Sequence, residues 1–296
     1  MKISLGLSRL FAKKKQPAAS GSRFEGIDLG GGRFECTLSS VSNTGECADL
    51  FLDVYSPDDL RDILARAGIA GHLAGKGISD PFIETEKDEA GIHHLRVYRD
   101  RPSPKRLLID LRLSRLVYAP EERLLSGIIQ ERRFNAIAIE WVCFQDPRAS
   151  FTAERPRLPG QTYPGLGTVR FLAPLLLLFA QELGVDAILD VPERYHSAVM
   201  YSKNFMFIDP EREGMLRAAI RDLGEFPLAE VSRAFESGLV RDARTGAPIA
   251  YEPSVQILPY GKELTRYFSS KKYRARVKAA AQRSMLVLER RAVREK

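Results

Sequence analysis

Residues 134–144 read Phe-Asn-Ala-Ile-Ala-Ile-Glu-Trp-Val-Cys-Phe, an almost continuous apolar run. Such a run predicts a strand covered on both faces, as in the middle of a sheet flanked by helices. Strict alternation would put Ile137, Ile139, Trp141 and Cys143 on one face. Ala136, Ala138, Glu140, Val142 and Phe144 would fall on the other.

Upstream, residues 93–98 and 106–113 read as strands around an Arg101-Pro102-Ser103-Pro104 turn, and residues 120–130 as a helix. Residues 56–67 carry a helix start: Ser56 to cap, Pro57 for the first position, and Asp58 and Asp59 for the positive end of the dipole. Leu60, Ile63 and Leu64 then share one face. Further toward the N-terminus, Gly30-Gly31-Gly32 reads as a turn into a strand at 33–38, and residues 12–22 as a flexible lead-in.

Downstream of 144 comes a connection over 146–167, then a helix to about Leu183 in which Pro174 is expected to remove a hydrogen bond and introduce a kink. A strand at 187–191, a helix at 195–202 and a strand at 205–208 follow. Two helices (211–223 and 228–239) and a last strand (254–259) complete the body. From Lys262 the pattern predicts one long helix with Tyr273, Val277, Ala280, Ala281 and Leu288 along its apolar stripe. The alternation of strands and helices makes this an α/β chain: a mixed central sheet with flanking helices, further helices inserted late, and a basic C-terminal helix.

The net charge of +7 is unevenly placed. Residues 262–296 hold twelve Lys/Arg against three Asp/Glu, and residues 1–23 hold six against none, leaving residues 24–261 with a net charge of −8. The expected division is therefore a flexible basic segment over 1–23, an α/β domain over 24–261 and a basic helical tail over 262–296. Basic ends attract polyanions or serve simply as solvated tails. Cys36, Cys47 and Cys143 form no disulfide framework, and four histidines form no zinc-type cluster. No transition-metal site is expected. The longest apolar run, 171–180, is too short for a bilayer and no secretory leader is evident, so the expectation is a soluble cytoplasmic protein.

The chemistry centres on Gly165-Leu166-Gly167-Thr168, between the strongest strand and a long helix. Two glycines there allow a sharp turn and present amide N–H groups at a helix N-terminus, where phosphate is favoured; an ordinary turn is the plainer alternative. Glu140 is the lone charge in its strand. A carboxyl in apolar surroundings suits a general base, and an ion pair with an arginine is its structural alternative. His196 is a further acid/base candidate, because imidazole titrates near neutrality. Arg148, Arg155 and Arg157 offer guanidinium groups to phosphates. Cys143 reads as a buried inert thiol, and neither Ser150 nor Ser197 has a nucleophile-elbow context.

The order strand, glycine turn, helix, strand, helix with Ala198 and Tyr201, then Phe205-Met206-Phe207 resembles the GNAT superfamily of N-acetyltransferases over residues 134–209. The family's Q/R-x-x-G-x-G/A turn falls near Gln161 and on Gly165 to Gly167. The resemblance implies an acyl-CoA or acetyl-CoA donor held by Gln161, Gly165, Leu166, Gly167, Thr168 and Arg170, with its pantetheine arm beside Glu140 and Trp141. It implies that Tyr201 gives a proton to the departing thiolate and Glu140 takes one from an amine. It also expects the last two strands to be neighbours, although residues 211–239 separate them. An acidic carrier protein is an alternative donor, which the 262–296 segment would dock. The competing reading is a non-catalytic protein whose basic ends contact nucleic acid or an anionic membrane. On that reading Lys271, Lys272, Arg274, Arg276 and Lys278 meet phosphates while Tyr267, Phe268 and Tyr273 stack.

Overall fold

A computed structural model describes residues 2–3, 50–125, 127–131 and 133–289. The expected lead-in, glycine turn and 33–38 strand lie outside the described residues, as do Cys36 and Cys47.

The sheet is built around residues 134–144. Strand β5 (Phe134–Phe144) pairs antiparallel with β4 (Leu107–Tyr118), β4 with β3 (His93–Tyr98) and β3 with β2 (Phe82–Lys87). On its other edge β5 pairs in parallel with β6 (Ala187–Asp190), which is followed by β9 (Gln256–Pro259) and β7 (Met206–Phe207), both pairings antiparallel. The spatial order is β2-β3-β4-β5-β6-β9-β7. Residues 208–255 lie between β7 and β9 in sequence, yet the two strands are hydrogen-bonded neighbours. The parallel pairing ends at Ala138↔Leu189 although β5 runs on to Phe144. Beyond that point β1 (Lys2–Ile3) pairs with Val142 and Cys143. Because β4 occupies the opposite edge of β5 there, β1 lies on the side of β6, beyond the end of that strand.

One sheet face is covered by α1 (Pro57–Arg66), α2 (Ile69–Ala74) and α4 (Leu172–Leu183). The start of α1 follows the expected chemistry: the Ser56 side chain accepts from the Asp59 amide, and Asp59 reaches back to the Ser56 amide. Pro174 does not disrupt α4. It is the third residue of the helix, where an amide has no intrahelical acceptor and its absence costs nothing. Gly184 closes α4 in the left-handed conformation at φ +62°. The expected helix over 120–130 shrinks to α3 (Glu122–Leu125), because Gly127 takes φ +71° just beyond it.

Strict alternation along β5 fails at Glu140. The register against β4 passes from Arg112↔Trp141 to Leu113↔Ile139, so β5 carries an extra residue there, a β-bulge. The bulge shifts the pleat. Val142 and Phe144 join Ile137 and Ile139 in the core under α1 and α4, while Glu140 is left on the opposite face.

The C-terminal segment is two helices rather than one: α8 (Lys262–Ser269) and α9 (Lys271–Arg283), followed by β10 (Leu286–Leu288). Ser270 is extended, at φ −64° and ψ 145°, and its hydroxyl caps α9 by accepting from the Tyr273 amide. Both helices are built into the second core, under the other sheet face. Tyr267 donates to the Ile208 carbonyl at 2.8 Å and Tyr273 to the Phe207 carbonyl at 2.7 Å. The late helices α6 (Pro210–Leu223) and α7 (Leu228–Glu236) enclose a third core with α5 (Tyr195–Tyr201). Strand β8 (Val240–Asp242) pairs with β10 beside it. No helix among the described residues is long and apolar enough to cross a membrane.

Candidate functional site

The glycine turn lies between the two parallel strands in sequence, and it is held near the carboxyl end of β5, where the Asp146 amide donates to the Pro164 carbonyl at 2.9 Å. Gly167 takes φ +81°, a conformation that an L side chain rarely adopts, and this turns the chain into the short 3₁₀ segment Val169–Phe171 ahead of α4. The amide N–H groups of residues 165–170 find no acceptor among the described residues. Backbone donors are normally satisfied, and amides without acceptors at the start of a helix are a candidate anion site; Gly165, Gly167 and Val169 of this run line the cavity beside it. The Thr168 hydroxyl, on a fully buried residue, also lacks a hydrogen-bond partner.

This turn borders a cavity of about 400 Å³ whose wall includes Arg155, Gln161, Gly165, Gly167, Val169 and Leu228. Three residues of the expected donor set therefore line one space. Arg155 is exposed there and forms no ion pair among the described residues. Gln161 has a bracing part: its side-chain oxygen accepts from the Leu158 amide at 2.9 Å, and its carbonyl accepts from Arg157 Nε at 2.7 Å. Leu166 is buried. Its carbonyl accepts from His72 Nε2 at 3.0 Å, so α2 pins the turn from behind. Arg170 is exposed, stacks on the Phe171 ring at 4.7 Å and reaches His72 Nδ1 at 3.4 Å. No sequence pattern pointed to His72. Arg148 is engaged with Asp146 and the Lys76 carbonyl.

Glu140 is 4% exposed and accepts from Ser114 Oγ at 2.7 Å. It stands two residues past the last parallel pair, beside the end of β6. The same face carries Asp110 and Arg112. The guanidinium bridges Asp110 at 3.0 Å and lies over the Trp141 ring at 5.3 Å. Sequence reading missed Ser114 and Arg112, because cross-strand neighbours on a long antiparallel ladder are distant in sequence.

The remaining candidates lie elsewhere. Tyr201 belongs to the apolar core on the Leu111–Leu113 side of the sheet, with its hydroxyl buried, whereas Glu140 is on the opposite face. His196 is fully buried, and its Nδ1 lies 2.7 Å from Ser232 Oγ, tying α5 to α7. Neither side chain lines the cavity, and nor does that of Glu140. Cys143 is buried, as expected of an inert thiol.

Burial, aided by the charge of Arg194, pushes the His196 imidazole down to about 4. An unfolded histidine protonates near 6.5, so the unfolded state takes up this proton first as pH falls. The neutral ring's contribution is thus complete above 6.5 and lost progressively toward 4, by about 3 kcal/mol. Melting temperature followed between pH 7 and pH 4 should fall more steeply for the wild type than for His196→Gln. Parallel curves would show that this ring stays hydrated in the folded state.

Comparison with known proteins finds no matching family model, no similar curated protein and no similar solved structure. Among the described residues, no group of His, Cys, Asp and Glu is placed to hold a metal ion.

Proposed function

We propose that this protein is a GNAT-like acyltransferase that takes an acyl group from a phosphate-bearing thioester, acyl-CoA or an acyl carrier protein, and passes it to an amine. The observation that carries the reading is the run of amides at 165–170 without an acceptor among the described residues, of which Gly165, Gly167 and Val169 line the cavity near the carboxyl end of β5. The spatial neighbourhood of β7 and β9 across the inserted helices adds support. In this reading the amides and Arg155 take the donor's phosphates. Glu140, oriented by Ser114, removes a proton from the attacking amine. The amine nitrogen bonds to the thioester carbonyl carbon, the C–S bond breaks, and the thiolate leaves with a proton taken from solvent, because Tyr201 is buried in the core. Lys2–Ile3 pair with the β5 edge at Val142 and Cys143, so a pantetheine arm would follow β5 nearer Glu140.

Calorimetric titration with acetyl-CoA and longer acyl-CoAs tests the donor. The wild type should bind, and Gly165→Glu should lose binding with an unchanged melting temperature, since an anion placed there repels phosphate and blocks approach to the backbone. A wild type with no measurable acyl-CoA affinity would remove coenzyme A as donor. The same titration with an acylated carrier protein then decides whether the thioester reading survives.

A further inference from the structure

Helix α9 reads Lys-Lys-Tyr-Arg-Ala-Arg-Val-Lys-Ala-Ala-Ala-Gln-Arg, six cations with no acid. Its apolar side (Tyr273, Val277 and Ala280) is turned into the core, which leaves Lys271, Lys272, Arg274 and Lys278 exposed. This arrangement breaks two local rules. Lys271, Lys272 and Arg274 crowd the first turn, where the helix dipole favours acids. Lys271 and Arg274, Lys272 and Arg276, and Arg274 and Lys278 are like-charged neighbours at helical spacing, which destabilises a helix.

Several arginines elsewhere pair with acids: Arg96 with Glu84 and Glu86, Arg194 with Glu236, Arg241 with Glu289. Arg283, at the far end of α9, pairs with Glu211. Lys271, Arg274, Arg276 and Lys278 form no ion pair among the described residues. A cationic row kept at a cost to the helix, beside a body of net charge −8, marks an interaction surface.

We infer that the exposed face of α9 binds the phosphate backbone of duplex nucleic acid without reading its sequence. Lys271, Arg274 and Lys278 follow one another on one helical face over about 10 Å, the axial rise of about three phosphates of one strand. The aromatic residues interleaved with them cannot stack on bases: Tyr267, Phe268 and Tyr273 are buried, and both tyrosine hydroxyls are committed to backbone carbonyls. The same burial argues against a membrane, because an interfacial helix needs its apolar side free for lipid. It also argues against a protein partner, since α9 exposes no aromatic or large apolar anchor. Charge alone remains, and charge alone reads phosphate.

The test uses full-length protein and a labelled short duplex DNA, followed by fluorescence anisotropy from about 50 mM salt upward. The wild type should bind two unrelated sequences equally, with log affinity falling linearly with log salt by about 0.9 per phosphate neutralised. The triple variant Lys271→Ala/Arg274→Ala/Lys278→Ala should lose about three phosphates' worth of that slope. Its melting temperature should be unchanged or higher, because repulsion within α9 is relieved. An absence of binding at the lowest salt would overturn the proposal. So would a variant that binds as the wild type does, which would place the contact on another basic segment. Binding of phosphatidylserine vesicles or polyglutamate in preference to DNA, lost in the same variant, would assign the face to a different partner and equally overturn it. This inference stands apart from the acyl-CoA reading, since neither uses the other's residues.

Discussion

Gly214→Ala should lower the stability of this protein, although alanine is the better helix former by about 1 kcal/mol. Gly214 lies in α6 where α9 crosses it. A Cβ there would stand 2.4 Å from the Ala280 Cβ, 2.7 Å from the Val277 carbonyl oxygen and 2.9 Å from the Ala281 amide nitrogen. Two of these three atoms are backbone, so no rotamer change relieves the clash and the helices must separate. Overpacking of this kind costs about 1–3 kcal/mol and occasionally more. Separation would also disturb the cap at the end of α9, where Arg221 donates to the Ala281 and Ser284 carbonyls at 3.0 and 2.8 Å. Gly71→Ala in α2 is the matched control, because nothing lies within 4 Å of its added Cβ. Thermal denaturation of the two variants should move in opposite directions, down for Gly214 and level or up for Gly71. A neutral Gly214→Ala would mean that α6 and α9 cross more loosely than the structure shows.

Glu140→Gln should slow acyl transfer by about 10²–10⁴-fold, the usual contribution of a general base, with donor affinity little changed. Glutamine keeps the shape and can still meet Ser114, so the fold around the bulge should persist. The informative assay follows thiol release from acetyl-CoA in the presence of small primary amines. An unchanged rate of release in Glu140→Gln would remove this carboxylate from the chemistry and leave it a buried group paired with Ser114. Ser114→Ala should show a smaller loss of the same kind, since it acts by orienting Glu140.

Much of the fold was legible because its signals are local. The strand at 134–144, the capped start of α1, the glycine turn ahead of α4 and the C-terminal glycine of α4 each depend on residues within a few positions of one another. The candidate anion cradle was legible for the same reason: Gly165 and Gly167 act through backbone conformation, which near neighbours set. The bulge at Glu140 left a trace too, since Ile137, Ile139, Val142 and Phe144 change phase across it, although strict alternation hid the meaning.

The sequence by itself thus determined an α/β chain with a turn able to present amides to an anion, and the segregation of positive charge to its ends. Tertiary structure alone decided how those pieces are used. It joined β7 to β9 across residues 208–255, buried Tyr201 and His196 away from the cavity, and brought Ser114 to Glu140 and His72 to the turn. It also sank Tyr267 and Tyr273 into the core, so that a stretch readable as a nucleic-acid stacking platform exposes only its charges. The physical reason is common to these cases. A residue's local conformation follows mainly from its neighbours in the chain. Whether its side chain meets solvent, a ligand or another side chain depends on surfaces contributed from tens to more than a hundred positions away, and burying apolar area of about 25 cal/mol per Å² outweighs any local preference for exposure.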